Sequence, residues 1–182
     1  NKQYAQLFGL DVSRVTYTMP DTIPEMFRPI QKLETEASDT ILGVFGDSLA
    51  ALSTEMEMED RDKMGMRRAK EFSEQLRKTC RIIKQRNILM VCSNQLRQNV
   101  DAGPYAPRWK STGGVAIEFY SSLRLQCSAP EKIKRTRRLS SGKEISRVIG
   151  IETTISAVKS TVGPPHRTAP LRIIYDYGID DI

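Results

Sequence analysis

Two short runs constrain this fold more than anything else in the chain: Thr40 to Phe45 and Ile88–Cys92, each apolar almost throughout. A strand with one face in water alternates apolar and polar residues, whereas a strand buried on both faces reads as a continuous apolar run. Between the two runs the period changes. Ala69, Phe72, Leu76, Cys80 and Ile83 step by three or four, while Arg67, Lys70, Glu71, Glu74, Lys78 and Arg81 fill the intervening positions. That is the pattern of an amphipathic helix. Strand, helix, strand with continuous apolar strands predicts a parallel sheet covered by helices. Upstream, a further helix is expected from Pro24, with Phe27, Ile30, Leu33 and Ala37 along one face.

The last third has period two. Leu123, Leu125 and Cys127 alternate with Arg124 and Gln126, and Ile149, Ile151, Ile155 and Ala157 share one parity. Such segments predict half-solvated, antiparallel strands. Ser140-Ser141-Gly142 supplies a hairpin turn, and Leu171, Ile173 and Tyr175 mark a last strand. The expectation is an α/β fold, a mainly parallel sheet flanked by helices with an antiparallel C-terminal extension. It fills one domain over residues 1–182, with a basic hairpin at 129–150.

Composition removes several function classes. Cys80, Cys92 and Cys127 are too few and too far apart for a disulfide framework, and read as buried free thiols of a cytoplasmic protein. With His166 as the single histidine and no Cys-x-x-Cys pair, a zinc site or a histidine-based triad is a poor expectation. No apolar run approaches the ~18–20 residues that span a bilayer, so no membrane partner is expected. Lys and Arg number 28 against 22 Asp and Glu, a net charge of +6. Residues 131–147 hold seven cations and two carboxylates, so nearly all of that excess sits in one hairpin. Phosphate contact is the expectation for its Lys132, Lys134, Arg135, Arg137 and Arg138, though a solvated hairpin has the same composition.

Three places could carry chemistry. Asp47-Ser48 closes the first apolar run, where α/β folds place ligands and where a carboxylate can hold Mg²⁺; it could equally end the strand or cap the next turn. Ser93-Asn94-Gln95 closes the second run, and its amides can bond a phosphate oxygen or a water. Beyond it, Gln98 to Ser111 interleaves Arg108 and Lys110 with Tyr105 and Trp109, a mixture that suits single-stranded nucleic acid through neutralisation and stacking. An ordinary surface loop with Trp109 packed locally is the alternative. A phosphate-cradling Gly-x-x-x-x-Gly-Lys-Ser/Thr loop is missing: Gly142-Lys143 is followed by Glu144, and Arg137 stands where the first glycine should be.

The order of these features resembles the core of the RecA-type recombinase family. The resemblance rests on Gly46-Asp47-Ser48-Leu49-Ala50-Ala51-Leu52, Met64-Gly65-Met66, Asn94-Gln95-Leu96-Arg97, and Thr112-Gly113-Gly114 continuing to Phe119-Tyr120 and Leu123-Arg124. It runs from about Tyr4 to Gly178, and the basic hairpin and acidic 54–63 loop are more similar to a phage or divergent member. The resemblance implies ATP and Mg²⁺ as cofactors, with Asp47 as metal ligand, Ser48 beside it and Gln95 as sensor of the γ-phosphate. It implies a first DNA loop at about 55–65 with Met64, Arg68 and Arg77, and a second at 96–112 with Arg97, Tyr105, Arg108, Trp109, Lys110, Gly113 and Gly114. Phe119 would lie at a filament interface, and Lys159 would reach the ATP of the adjacent subunit, although Thr161 stands where the family usually has a second lysine.

It also implies that the family's phosphate loop and catalytic glutamate precede the Tyr4 region. This polypeptide would then be a fragment that neither binds ATP tightly nor hydrolyses it. The function so implied is part of a DNA-dependent ATPase of homologous recombination and repair, which forms a filament on single-stranded DNA and exchanges strands with duplex DNA. A helicase-type ATPase of the same fold and a non-catalytic nucleic-acid-binding module are the alternatives.

Overall fold

The computed structural model describes residues 6, 9–34, 40–55, 66–99, 103 and 108–180. The chain divides into two compact units, Asn1–Tyr120 and Ser121–Ile182. As predicted, the fold is α/β.

The first unit is built on helix α1 (Ile23–Lys32), strand β1 (Leu42–Gly46), helix α2 (Met66–Gln85) and strand β2 (Ile88–Cys92). Thr22 starts α1 by a capping box: its hydroxyl accepts from Glu25 N, and the Glu25 carboxylate accepts from Thr22 N. The helix stops at Lys32, short of the expected Ala37, which lies outside the described residues. Leu33 turns extended, and Arg86 gathers the carbonyls of Gln31 and Leu33 from the end of α1. Ile23, Phe27 and Ile30 of α1 meet Phe72 and Leu76 of α2 in the core. The rings of Phe27 and Phe72 pack edge to face at 6.4 Å.

Strands β1 and β2 pair in parallel, Leu42 opposite Ile88 through Gly46 opposite Cys92. Their inner face, with Val44, Met90 and Cys92, packs against the helical core. The outer face does not follow the expectation of strands buried on both sides: Phe45 is 76% exposed, and Leu89 and Val91 are about half exposed. The reason is that α1 and α2 cover one side only. Burial pushes the Cys92 thiol up to about 11, with a backbone hydrogen bond from Gly46 acting the other way. Cys80 is raised by burial too.

The second unit is an antiparallel sheet of β5 (Leu123–Cys127), β6 (Glu131–Arg138), β7 (Glu144–Ser160), β8 (Thr168–Ile174) and β9 (Gly178–Asp180), in the order β5-β7-β8-β9 with β6 also on β7. Before it, β3 (Leu96–Gln98) and β4 (Trp109–Ser111) form a separate antiparallel pair, and helix α3 (Val115–Tyr120) closes the first unit. Among the described residues, parallel pairing in named strands is therefore confined to β1 and β2, and the antiparallel part is larger than expected. One face is inverted relative to its pattern. On β5 the apolar Leu123, Leu125 and Cys127 are exposed, and Arg124 and Gln126 are the half-buried residues. Cys127 is thus not the buried thiol expected. It should be alkylated at least tenfold faster than Cys92, because the thiolate is the nucleophile and Cys92 is both covered and held protonated. Quenched labelling followed by peptide mass mapping checks this, and denaturant should erase the difference.

Candidate nucleotide and nucleic-acid site

The C-terminal ends of β1 and β2 bring Asp47 and Ser93 together. Ser93 N donates to Gly46 O at 2.9 Å, Leu49 N donates to Ser93 O at 3.0 Å, and the Ser93 hydroxyl donates to the Asp47 carboxylate. The carboxylate itself is exposed at the strand tip. Ser48 precedes a short turn at Leu49–Ala51, but its side chain makes no capping bond. A carboxylate and a hydroxyl at a strand tip are hard oxygen donors of the kind Mg²⁺ takes alongside a nucleotide's phosphates. Among the described residues no cluster of three His, Cys, Asp or Glu could hold a metal ion alone. Asp47 and Ser93 therefore fit part of a coordination shell that a nucleotide's phosphates would complete.

One residue beyond Ser93, the same strand end roots the second loop. Asn94 Nδ2 donates to Ser111 Oγ and Thr112 O, both at 2.9 Å, and Thr112 Oγ1 donates back to Asn94 Oδ1 at 2.7 Å. Thr112 N donates to Gln95 O at 3.2 Å. The loop expected to be non-periodic opens as a hairpin stem, with Leu96, Arg97 and Gln98 opposite Ser111, Lys110 and Trp109. Paired residues share a face, so Arg97 and Lys110 project together and Leu96 and Trp109 lie on the other side. Arg108 and Lys110 are exposed, and Trp109 is 54% exposed rather than packed. Tyr105 and Met64 lie outside the described residues, as does most of the 55–65 loop. A half-open depression of about 240 Å³ at the stem base is lined by Asn99, Lys110, Ser111, Gly114 and Glu118.

Gly113 and Gly114 close the loop with φ of +87° and +85°. A Cβ on Gly114 would stand 2.6 Å from Ala69 Cβ, and one on Gly113 would stand 2.5 Å from Ile117 Cδ1 and 3.1 Å from the Phe72 ring. These glycines clamp the loop's end onto α2. Arg68 also faces inward: its guanidinium donates to the carbonyls of Leu49 and Ala50 at 2.9 and 2.7 Å, and lies over the Phe72 ring. Its Nη2 is bonded into the fold, while its buried Nε has no hydrogen-bond partner among the described residues. Arg77 is exposed on α2. Phe119 is 73% exposed and packs edge to face on Tyr120.

The other expected residues belong to the second unit. Lys159 stands opposite Arg124 on the β5–β7 pair, and the five cations of the basic patch lie along β6. Sequence reasoning missed the hydroxyl of Ser93 on Asp47 and the clasp between Asn94 and Thr112. The juxtaposed strand ends hold the signal for both, but only once the parallel register is known.

Comparison with known proteins reaches the whole of this arrangement. The family model for the RecA N-terminal domain matches residues 1–180. The chain belongs to the RecA family. Protein RecA of Delftia acidovorans is 33% identical over 178 residues, covering 97% of this chain and 45% of that protein. Protein RecA of Marinobacter nauticus is 35% identical over 180 residues, covering 97% of this chain and 48% of that protein. The chain thus spans about half the length of these RecA relatives. Asp47, Ser93, Gln95 and the 96–112 stem are all inside the matched span.

Proposed function

We propose that this chain is part of a cytoplasmic DNA-dependent ATPase of homologous recombination and repair, which assembles as a filament on single-stranded DNA with ATP and Mg²⁺ and promotes strand exchange with duplex DNA. One observation carries the reading: three consecutive residues connect the metal end to the loop end. Ser93 bonds Asp47, Asn94 clasps Thr112, and Gln95 is bonded through its carbonyl to the loop's last turn.

In this reading Asp47 accepts the metal and Ser93 holds the carboxylate's rotamer. Bound Mg²⁺ would neutralise phosphate charge as the terminal phosphoryl group leaves. The Gln95 amide turns toward a phosphate, and any shift of its backbone moves Thr112 with it. The stem then presents Arg97 and Lys110 to the DNA backbone and Trp109 to a base. Arg108, Arg77 and the undescribed Met64 and Tyr105 complete the DNA surface, whereas Gly113 and Gly114 act by anchoring it. Phe119 offers an apolar contact to a neighbouring subunit, and Lys159 offers a cation to the neighbour's ATP. The open face of Phe45, Leu89 and Val91 supports a further layer packed on that side of β1 and β2.

The test is binding of fluorescent single-stranded DNA by anisotropy. Trp109→Ala should weaken it by roughly 1–3 kcal/mol, the range for losing one stacked base, while circular dichroism stays unchanged. Unaltered affinity would remove the 96–112 stem from the DNA surface.

A further inference from the structure

The turn after Asp47 is held by two elements at once. Leu49 N donates to Ser93 O at the end of β2 at 3.0 Å, and Ala51 N closes the turn onto Ser48 O at 3.1 Å. The carbonyls of Leu49 and Ala50 are taken from α2, where Arg68 Nη2 donates to them at 2.9 and 2.7 Å. Leu49 thus has its N–H fixed by the strand and its C=O fixed by the helix. Leu49 and Leu52 are buried in the core. A buried turn must still satisfy its backbone, and a short helical turn leaves its last carbonyls without partners. Arg68 supplies donors to both.

Packing alone does not call for an arginine here. Its guanidinium lies 5.7 Å from the centre of the Phe72 ring, and its buried Nε has no hydrogen-bond partner among the described residues. Leaving a charged group's donor dry costs free energy, and an apolar side chain in such a place is often neutral or stabilising. The next residue along α2 meets the other end of the site. A Cβ on Gly114 would stand 2.6 Å from Ala69 Cβ and 3.3 Å from Ala69 Cα, and Gly113 lies as close to Phe72. Within five residues, α2 therefore carries both the donor that holds the Asp47 turn and the surface on which the second loop ends. Ser93, Asn94 and Gln95 connect the same two places from the end of β2.

We propose that Arg68 is a positioning residue for Asp47, tying the turn after the carboxylate to the end of the 96–112 loop through the first turns of α2. What the tie serves rests on the reading of Asp47 and of the stem given above. Arg68 and Ala69 are neighbours in one helix, whose hydrogen-bond ladder makes them move together. Pressure of the loop's end on Ala69 is passed to the carbonyls of Leu49 and Ala50, and so to Asp47 just upstream. The guanidinium suits this role because one nitrogen bonds two successive carbonyls while the flat group rests on a ring. Arg68 then acts from inside the fold and touches neither nucleotide nor DNA.

The test is amide hydrogen exchange of the 182-residue chain, read at residues 48–52 and 109–114, for wild type, Arg68→Met and Arg68→Lys, with and without oligo(dT). Without DNA, Arg68→Met should speed exchange at Leu49, Ala51 and Leu52 roughly tenfold or more, the usual result of losing charge-assisted hydrogen bonds. The amides of Ile88–Cys92 should keep their rates. Arg68→Lys retains the charge beside Phe72 but not the fork, so it should fall between the two; should Arg68→Met melt early, it carries the comparison. Oligo(dT) should slow exchange of the wild-type turn, and Arg68→Met should lose that response while 109–114 still responds. The slope of log affinity against log salt should hold in Arg68→Met, whereas a phosphate contact by Arg68 would lower it by about 0.7. Equal acceleration throughout the first unit, unchanged exchange at the turn, or a lowered slope would overturn the proposal. A wild-type chain that ignores oligo(dT) would retire the DNA reading of the stem instead. Gly114→Ala, which presses on Ala69, then takes the oligonucleotide's place: a shift at the turn that Arg68→Met abolishes upholds the tie, and no shift overturns it.

Discussion

Gly114→Ala is expected to lower the stability of the first unit by about 3 kcal/mol, the sum of two costs of similar size. A non-glycine residue at left-handed φ costs about 1–2 kcal/mol, and the φ here is +85°. Overpacking a well-filled contact costs about 1–3 kcal/mol more, and the new methyl would sit 2.6 Å from Ala69 Cβ. The two costs separate in a double-mutant cycle. Ala69→Gly removes the clashing atom, so the pair should recover the packing cost and keep the backbone cost. Urea unfolding of the four proteins measures both; strict additivity would mean that the loop's end does not bear on α2. Because Gly114 follows Thr112 by two residues, the same substitution should also loosen the stem and reduce single-stranded DNA binding.

The second large effect concerns ATP. The 182-residue chain should turn over no ATP above buffer, and Asp47→Asn should change nothing in it, since a phosphate cradle of the Gly-x-x-x-x-Gly-Lys-Ser/Thr kind is not in its sequence. In a longer protein that adds such a cradle, Asp47→Asn should lower DNA-stimulated turnover roughly 10²- to 10³-fold, the usual cost of removing one group that offsets transition-state charge. A coupled phosphate-release assay reads both. Mg²⁺-dependent ATPase in the pure 182-residue chain would sink the assignment of the phosphate site to residues outside it. A full-length Asp47→Asn enzyme with normal turnover would remove Asp47 from the metal.

Periodicity and local chemistry were enough for several features. The three- and four-residue spacing of Ala69, Phe72, Leu76 and Cys80 predicted α2, and the two apolar runs predicted β1 and β2. Period two in the last third predicted antiparallel strands, and Ser140-Ser141-Gly142 does turn the chain between β6 and β7. These depend on neighbours within a few residues, which a linear pattern records. The string Thr112-Gly113-Gly114 likewise stands where the β3–β4 pair ends and the chain enters α3.

Tertiary structure decided which faces are covered and which polar groups are spent. An apolar strand declares that a face can be buried, not that anything lies on it, so Phe45 and Leu125 stand in the open. A cation at a helix start has the same letter whether it faces water or, like Arg68, donates to carbonyls 18 and 19 residues away in the chain. The pairing of Ser93 with Asp47 and of Arg135 with Arg147 depends on strand register, a property of two segments at once. The sequence by itself determined the elements and where the charge is concentrated. Only the fold decided the partners, because burial and hydrogen bonding are set by contacts between residues far apart in the chain.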